Sequence, residues 1–413
     1  MPKHERRTAG GARLIPLLGP AFVAAVAYVD PGNVAANITA GARYGYLLVW
    51  VLVASNLAAM LVQYESAKLG LVTGKSLPAL LGERLGRPAR LAFWFQAEVV
   101  AAATDLAEVI GGAVALHLLF GLPLLPGGLI IGAVSTLLLL WQDEGRQRRF
   151  EMIVVALLLV ITIGFLAGLV VSPPDPAGVA SGLLPRFAGP DSVLVAASML
   201  GATVMPHAVY LHSSLVNDHH DALPSRERLP QLLRATRIDI VWALGLAGLV
   251  NIGLLLVAAS ALHGVAGTDT IEGAHAAIAH ALGPAVGTIF AIGLLASGLA
   301  STSVGAYAGS EIMAGLLHAK IPLLVRRLIT LVPALIILAL GAEPTWALVV
   351  SQVVLSFGIP FAIIPLMSLT RNRELMGDEA DGTATRIAST LVAALIVGLN
   401  VVLLWLTLAP LLS

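Results

Sequence analysis

The chain reads as a succession of long apolar runs broken by short polar interruptions. A helix needs about 18 or more apolar residues to cross a bilayer. Runs near that length predict helices over 14–43, 46–71, 91–120, 124–141, 152–172, 193–215, 237–263, 284–316, 328–342, 345–369 and 387–412. That makes eleven spans in one all-α membrane domain, 1–413. The stretches between them carry loop punctuation: Ser172-Pro173-Pro174-Asp175-Pro176, the region from Asn217 to Arg237, and Arg371 to Arg386.

Two of the eleven are interrupted halfway. The first contains Asp30-Pro31-Gly32-Asn33, and the sixth contains Met205-Pro206-His207 after Gly201-Ala202-Thr203. Proline removes a backbone donor and clashes with the preceding turn, while glycine tolerates non-helical dihedrals. Backbone freed in this way is tolerated at membrane depth only where protein buries it or it lines a cavity. A pair of ordinary proline kinks would explain the breaks, but each also carries polar or coordinating side chains. Breaks in spans one and six imply a five-helix offset. The pattern is that of two inverted five-helix repeats, 14–172 and 193–369, a site between them at the midplane, and an additional helix, 387–412.

Composition agrees with the pattern. The chain is 58% hydrophobic and 12% charged, against about 25% charged for soluble domains, so its apolar excess faces lipid. Net charge is zero, which gives no case for nucleic acid. There is no cysteine, so a metal site here draws on Asp, Glu, Asn, Gln, His, Met or backbone oxygen. With the N-terminus cytoplasmic, only Arg43 and Arg186 of the 24 Lys and Arg residues fall on the outer side. This partition follows the positive-inside rule and puts the C-terminus outside. The basic start and Ala25-Val26-Ala27 have the outline of a secretory leader. Gly19-Pro20 within the apolar stretch, and the membrane sequence that follows, favour retention.

The chemistry gathers at the breaks. Asp30 is an acid at mid-membrane, costly unless paired, protonated or bound to a cation. Asn33, three residues on, can bring its amide oxygen to the same point. The second break offers the Met205 thioether and, if the helix opens there, the Ala202 carbonyl. Hard oxygens alone suit Na⁺, Mg²⁺ or Ca²⁺, whereas a thioether favours softer transition metals. Methionine in a membrane helix is usually packing, and its place within the break is what raises it here. Gln352 is a further ligand or an inter-helix hydrogen-bonding residue. Asp105 and Glu108 share one face of the third span, and His207 follows the second break. Intramembrane Asp, Glu and His chains serve as proton relays, so Asp30, His207, Asp105 and Glu108 are the proton-coupling candidates. The plain reading of Asp105 or Glu108 is a buried salt bridge, with Arg326 and Arg327 as candidate partners. Gln96, Glu98, His212, Asn251 and Glu311 read as packing or hydrogen-bonding residues, Asn56, Gln63 and Glu65 as bundle-stabilising ones, and Ser297–Ser303 as small-residue packing.

These residues carry a resemblance. Asp30-Pro31-Gly32-Asn33 and Met205-Pro206-His207, in the first and sixth spans, look like the paired signatures of the Nramp divalent-metal transporters. Ala103-Thr104-Asp105-Leu106-Ala107-Glu108, Ser351-Gln352 and the span pattern extend the likeness along nearly the whole chain. The resemblance implies the LeuT-type fold and proton-coupled import of Mn²⁺, Fe²⁺, Co²⁺ or Cd²⁺. It implies metal ligation by Asp30, Asn33, Ala202 and Met205, with Gln352 joining in some conformations, and proton handling by His207, Asp105 and Glu108. Branches that move Mg²⁺ or Al³⁺ lack the methionine, so Met205 points to the transition-metal branch. The metal would be transported substrate rather than a permanent cofactor, with a multi-pass location in the plasma (bacterial inner) membrane and no obligate protein partner. Two rivals stand beside it: an ion-coupled organic-solute transporter of the same architecture, disfavoured for anionic substrates by an acid and a thioether at the break, and an intramembrane aspartyl protease using Asp30 and Asp105. The second motif such proteases show, Gly-x-Gly-Asp, is absent.

Overall fold

The computed structural model describes residues 19–143, 147–220, 227–268, 270–317 and 323–412, and every regular element among them is helical. The first predicted span is two pieces, α1 (Pro20–Val26) and α2 (Pro31–Tyr44), joined by a 3₁₀ turn over Ala27–Val29. Then follow α3 (Val49–Thr73), α4 (Leu77–Arg84), α5 (Arg87–Phe120), α6 (Leu124–Asp143), α7 (Gln147–Val171) and α8 (Pro176–Gly182). The sixth predicted span is also two pieces, α9 (Pro190–Thr203) and α10 (Pro206–His220). The remainder is α11 (Leu229–Ala261), α12 (Ile271–Leu282), α13 (Pro284–Leu317), α14 (Leu323–Ala339), α15 (Pro344–Thr370), α16 (Arg373–Met376) and α17 (Thr383–Leu412).

Each predicted span has its helix, with ends shifted by a few residues, and residues 14–18 lie outside those described. Seven helical segments among the described residues, counting α9 and α10 as one, are long and apolar enough to cross a membrane by themselves. Three further apolar segments, Pro20–Val29, Leu124–Leu138 and Arg327–Ala339, are shorter. The helix α3 is long enough at 25 residues but carries Gln63, Glu65 and Lys68, all buried inside the protein.

Capping explains several boundaries. Asp30 caps α2 with Pro31 in the first turn, Ser76 caps α4, and Asp175 caps α8. Each side-chain oxygen accepts an otherwise orphaned amide N–H. The short helices α4, α8, α12 and α16 fall in stretches without a spanning apolar run. Small residues bring the long helices close. A Cβ on Gly164 of α7 would sit 2.6 Å from the Gly293 Cα of α13, so this crossing depends on glycine. The buried core runs between α5 and α13 and extends to both broken spans.

Candidate functional site

Prolines build the centre of the protein. In α9 the Ala202 carbonyl would normally accept from the amide four residues on, but that residue is Pro206 and has no N–H. The carbonyl accepts instead from Asn33 Nδ2 at 3.0 Å. Asn33 Nδ2 also donates to Asp30 Oδ1 at 2.9 Å, and the Asn33 backbone N–H donates to the same oxygen at 2.7 Å. One amide therefore stitches the start of α2 to the end of α9.

That geometry leaves specific atoms over. Asp30 Oδ2 and Asn33 Oδ1 are buried without a hydrogen-bond partner. Met205 lies fully buried in the gap between α9 and α10. From α15, the Gln352 amide packs on Gly32: a Cβ there would overlap its nitrogen and stand 3.4 Å from Asp30 Oδ2. The structure thus brings Asp30, Asn33, Ala202 and Gln352 together and buries Met205 in the neighbouring break. Among the described residues no three His, Cys, Asp or Glu side chains gather in a metal-holding cluster. A cation here would meet mixed donors: carboxylate and amide oxygen, with carbonyl oxygen and thioether beside them.

The unwound, buried backbone of the first break is held by residues to which the sequence assigned no such part. Asn251 Nδ2 donates to the Tyr28 carbonyl and Ser297 Oγ to the Val29 carbonyl, each at 2.6 Å. Asn37 Nδ2 in turn donates to Asn251 Oδ1 at 2.7 Å. The Ser297–Ser303 cluster is therefore more than small-residue packing, because its first hydroxyl satisfies an unwound turn. Gln63 Nε2 donates to the Tyr28 hydroxyl at 2.6 Å, and His212 Nδ1 donates to Gln63 Oε1 at 2.7 Å. A polar side chain on an otherwise apolar span was the available signal; its partner, about 150 or more residues away in most of these pairs, was not.

The other candidates separate. Arg327 Nη1 binds both carboxylate oxygens of Asp105, and Arg327 Nη2 donates to Ser135 Oγ at 2.8 Å. Asp105 is thus in the salt bridge weighed as its plain reading. The Arg326 side chain lies outside the described residues. Glu108 is fully buried against Ser301 and Gly305 of α13, within the electrostatic reach of Asp105, Asp30 and Arg327. His207, in the first turn of α10, is buried with neither ring nitrogen hydrogen-bonded.

Comparison with known proteins gives a consistent picture. The divalent metal cation transporter MntH of Mycobacterium tuberculosis is 60% identical over 394 residues, 95% of this chain and 91% of that protein. MntH of Bacillus subtilis is 46% identical over 394 residues, 95% and 92% of the two chains. The crystal structure of the Eremococcus coleocola manganese transporter with an aromatic bis-isothiourea compound aligns at a TM-score of 0.90 and 31% identity. It covers 98% of this chain and 90% of that one. A nucleobase-cation-symport-1 family transporter, in a closed conformation, shares the fold at 15% identity and a TM-score of 0.59. A family model described as natural resistance-associated macrophage protein-like matches residues 21–406, and the chain belongs to this family, Nramp.

Proposed function

We infer that this protein is a multi-pass membrane carrier of divalent metal cations, Mn²⁺ foremost, and that it couples their entry to protons. It is a transporter rather than an enzyme, as its Nramp membership and its similarity to MntH proteins support. The observation that carries the reading is the pair of oxygens left over at the first break. Asp30 Oδ2 and Asn33 Oδ1 are buried, unpartnered, and three residues apart at a helix start. A buried carboxylate oxygen without a donor is an expensive group unless a cation or proton meets it.

In the mechanism we propose, the cation exchanges part of its water shell for Asp30 and Asn33, with the Ala202 carbonyl, Met205 and Gln352 completing the donor set. The thioether weights the site toward transition metals over Mg²⁺ and Ca²⁺. The proton travels by Asp30, His207, Asp105 and Glu108; Glu108 lies near both carboxylates, and Arg327 balances Asp105. The half-helices α1, α2, α9 and α10 then rock against the remaining bundle to alternate access. The breaks at Asp30-Pro31 and Met205-Pro206 support two inverted five-helix repeats, eleven spans and the LeuT-type fold. The distribution of Lys and Arg supports a cytoplasmic N-terminus, an external C-terminus and residence in the plasma membrane. Fe²⁺, Co²⁺ and Cd²⁺ are substrates of the same donor set, and no resident cofactor or obligate protein partner is needed.

The test is uptake into proteoliposomes, with internal pH followed and Mg²⁺ in excess. Mn²⁺ uptake that resists Mg²⁺ and acidifies the lumen is the expected result. Uptake abolished by Mg²⁺ would remove Met205 as the selecting group. No metal uptake at all would return the organic-solute reading.

A further inference from the structure

A second charged cavity lies away from both breaks. It has a volume of about 420 Å³ and opens between α3, α11 and the residues leading into α17. An ion triad forms its floor. The Lys68 ammonium contacts Glu65 Oε2 at 2.6 Å and also binds Asp381 Oδ1, while Asp381 Oδ2 accepts from the Thr370 hydroxyl at 2.9 Å. Lys68 is therefore already neutralised by its two neighbours. Glu65 lines the cavity, its buried carboxyl in contact with both Lys68 and Asp381.

Both a cation and acids line it, from different elements. On α11 the Arg237 guanidinium stands 5.0 Å from the Tyr64 ring centroid and donates to the Tyr64 hydroxyl at 3.3 Å. A guanidinium has five donors in a fixed fork suited to phosphate, and that one bond leaves donors for another acceptor. Asp378 and Glu379 line it from the connector before α17. The walls are apolar, with Met60, Leu61 and Ile240 lining the cavity. Val241 of α11 also lines it and is half exposed, and Leu57 of α3 and Ile387 of α17 expose further apolar side chains on the same helices. Trp242, 69% exposed, stands next to Val241 and suits the membrane–water boundary.

We propose that this cavity binds the headgroup of a phospholipid carrying a primary amine. The phosphate lies on Arg237 and the Tyr64 hydroxyl, and the ammonium lies against the carboxylates of Glu379 and Glu65. The acyl chains run along Leu57, Val241 and Ile387. The charge pattern selects this occupant. A purely anionic headgroup would face four carboxylates. A choline headgroup has no N–H to give to Glu65. A free divalent cation would face Arg237 and would leave the apolar walls unused. The site is independent of the metal and proton reading, because neither Asp30 nor any coupling candidate lines it.

The experiment uses the full-length protein, purified in detergent and delipidated. Phosphatidylethanolamine, phosphatidylcholine and phosphatidylglycerol with identical acyl chains are added one at a time, with retention read by native mass spectrometry and thermal unfolding. Phosphatidylethanolamine is expected to bind about tenfold more tightly than phosphatidylcholine, the scale of one charge-assisted hydrogen bond. Arg237→Gln should weaken retention of phosphatidylethanolamine. Glu379→Gln, outside the buried triad, should narrow the preference for it over phosphatidylcholine. Equal retention of the two on the unmodified protein would overturn the proposal, as would a preference for phosphatidylglycerol. Stabilisation by Mg²⁺ or Mn²⁺ that Glu379→Gln abolishes, with no lipid preference, would give the cavity to a cation instead.

Discussion

Asp30 and Asp105 are both acids in the middle of the protein, 1% and 3% exposed, so burial does not distinguish them. Their partners do. Asp105 is held by a guanidinium that reaches both of its oxygens. Asp30 has only neutral amide donors, from Asn33 and the Gly32 backbone, and its other oxygen faces Gly32 and Gln352. A carboxylate that already has its cation can tune neighbours and hold helices together. One supplied only with neutral donors is the acid that the proposed site would use to meet a cation.

The comparison breaks most completely at Asp30. Asp30→Ala removes the only carboxylate at the first break, and Mn²⁺ uptake into proteoliposomes should fall to the protein-free background. Next comes Arg327→Ala, which strands Asp105 as an unpaired buried acid. The expected loss is about 3–5 kcal/mol of stability, read as a lowered midpoint of thermal unfolding, and adding Asp105→Asn should recover most of it. If Arg327→Ala unfolds at the unmodified midpoint, the two acids are not different in kind. Met205→Ala is milder: Mn²⁺ uptake should persist, but excess Mg²⁺ or Ca²⁺ should now compete with it. Unchanged selectivity would show that the thioether does not discriminate. Smallest is Ser297→Ala, which removes one donor from the unwound turn and should lower stability by about 1 kcal/mol, with uptake still measurable.

Some of this was readable from the chain alone. Spans were visible because an apolar run of bilayer length has few other uses, and both breaks were visible because proline cannot donate. The salt bridge of Asp105 was one of two readings, and only geometry could choose, since Arg327 is 222 residues away. Asn251 and Ser297 were visible as polar residues among apolar ones, yet what they hold is backbone carbonyl, and carbonyls leave no mark in a sequence. The triad of Glu65, Lys68 and Asp381 hid for a related reason. Two of its members sit on α3, but the third comes from the connector between α16 and α17. Short helices such as α12 escaped because they are too brief to span, even though Thr270 caps α12 in an ordinary way.

The missing N–H of Pro206 has a kinetic side. Because the Ala202 carbonyl and Asp30 Oδ1 are occupied by the Asn33 amide, an arriving ion that takes them displaces hydrogen bonds already made. Each such bond is worth about 1 kcal/mol net, roughly a fivefold loosening of the ion's hold. The same amide stands ready to reclaim its acceptors when the ion leaves. In the proposed site the residence time of the cargo would thereby be shortened, and turnover would gain from a proline placed four residues beyond a carbonyl.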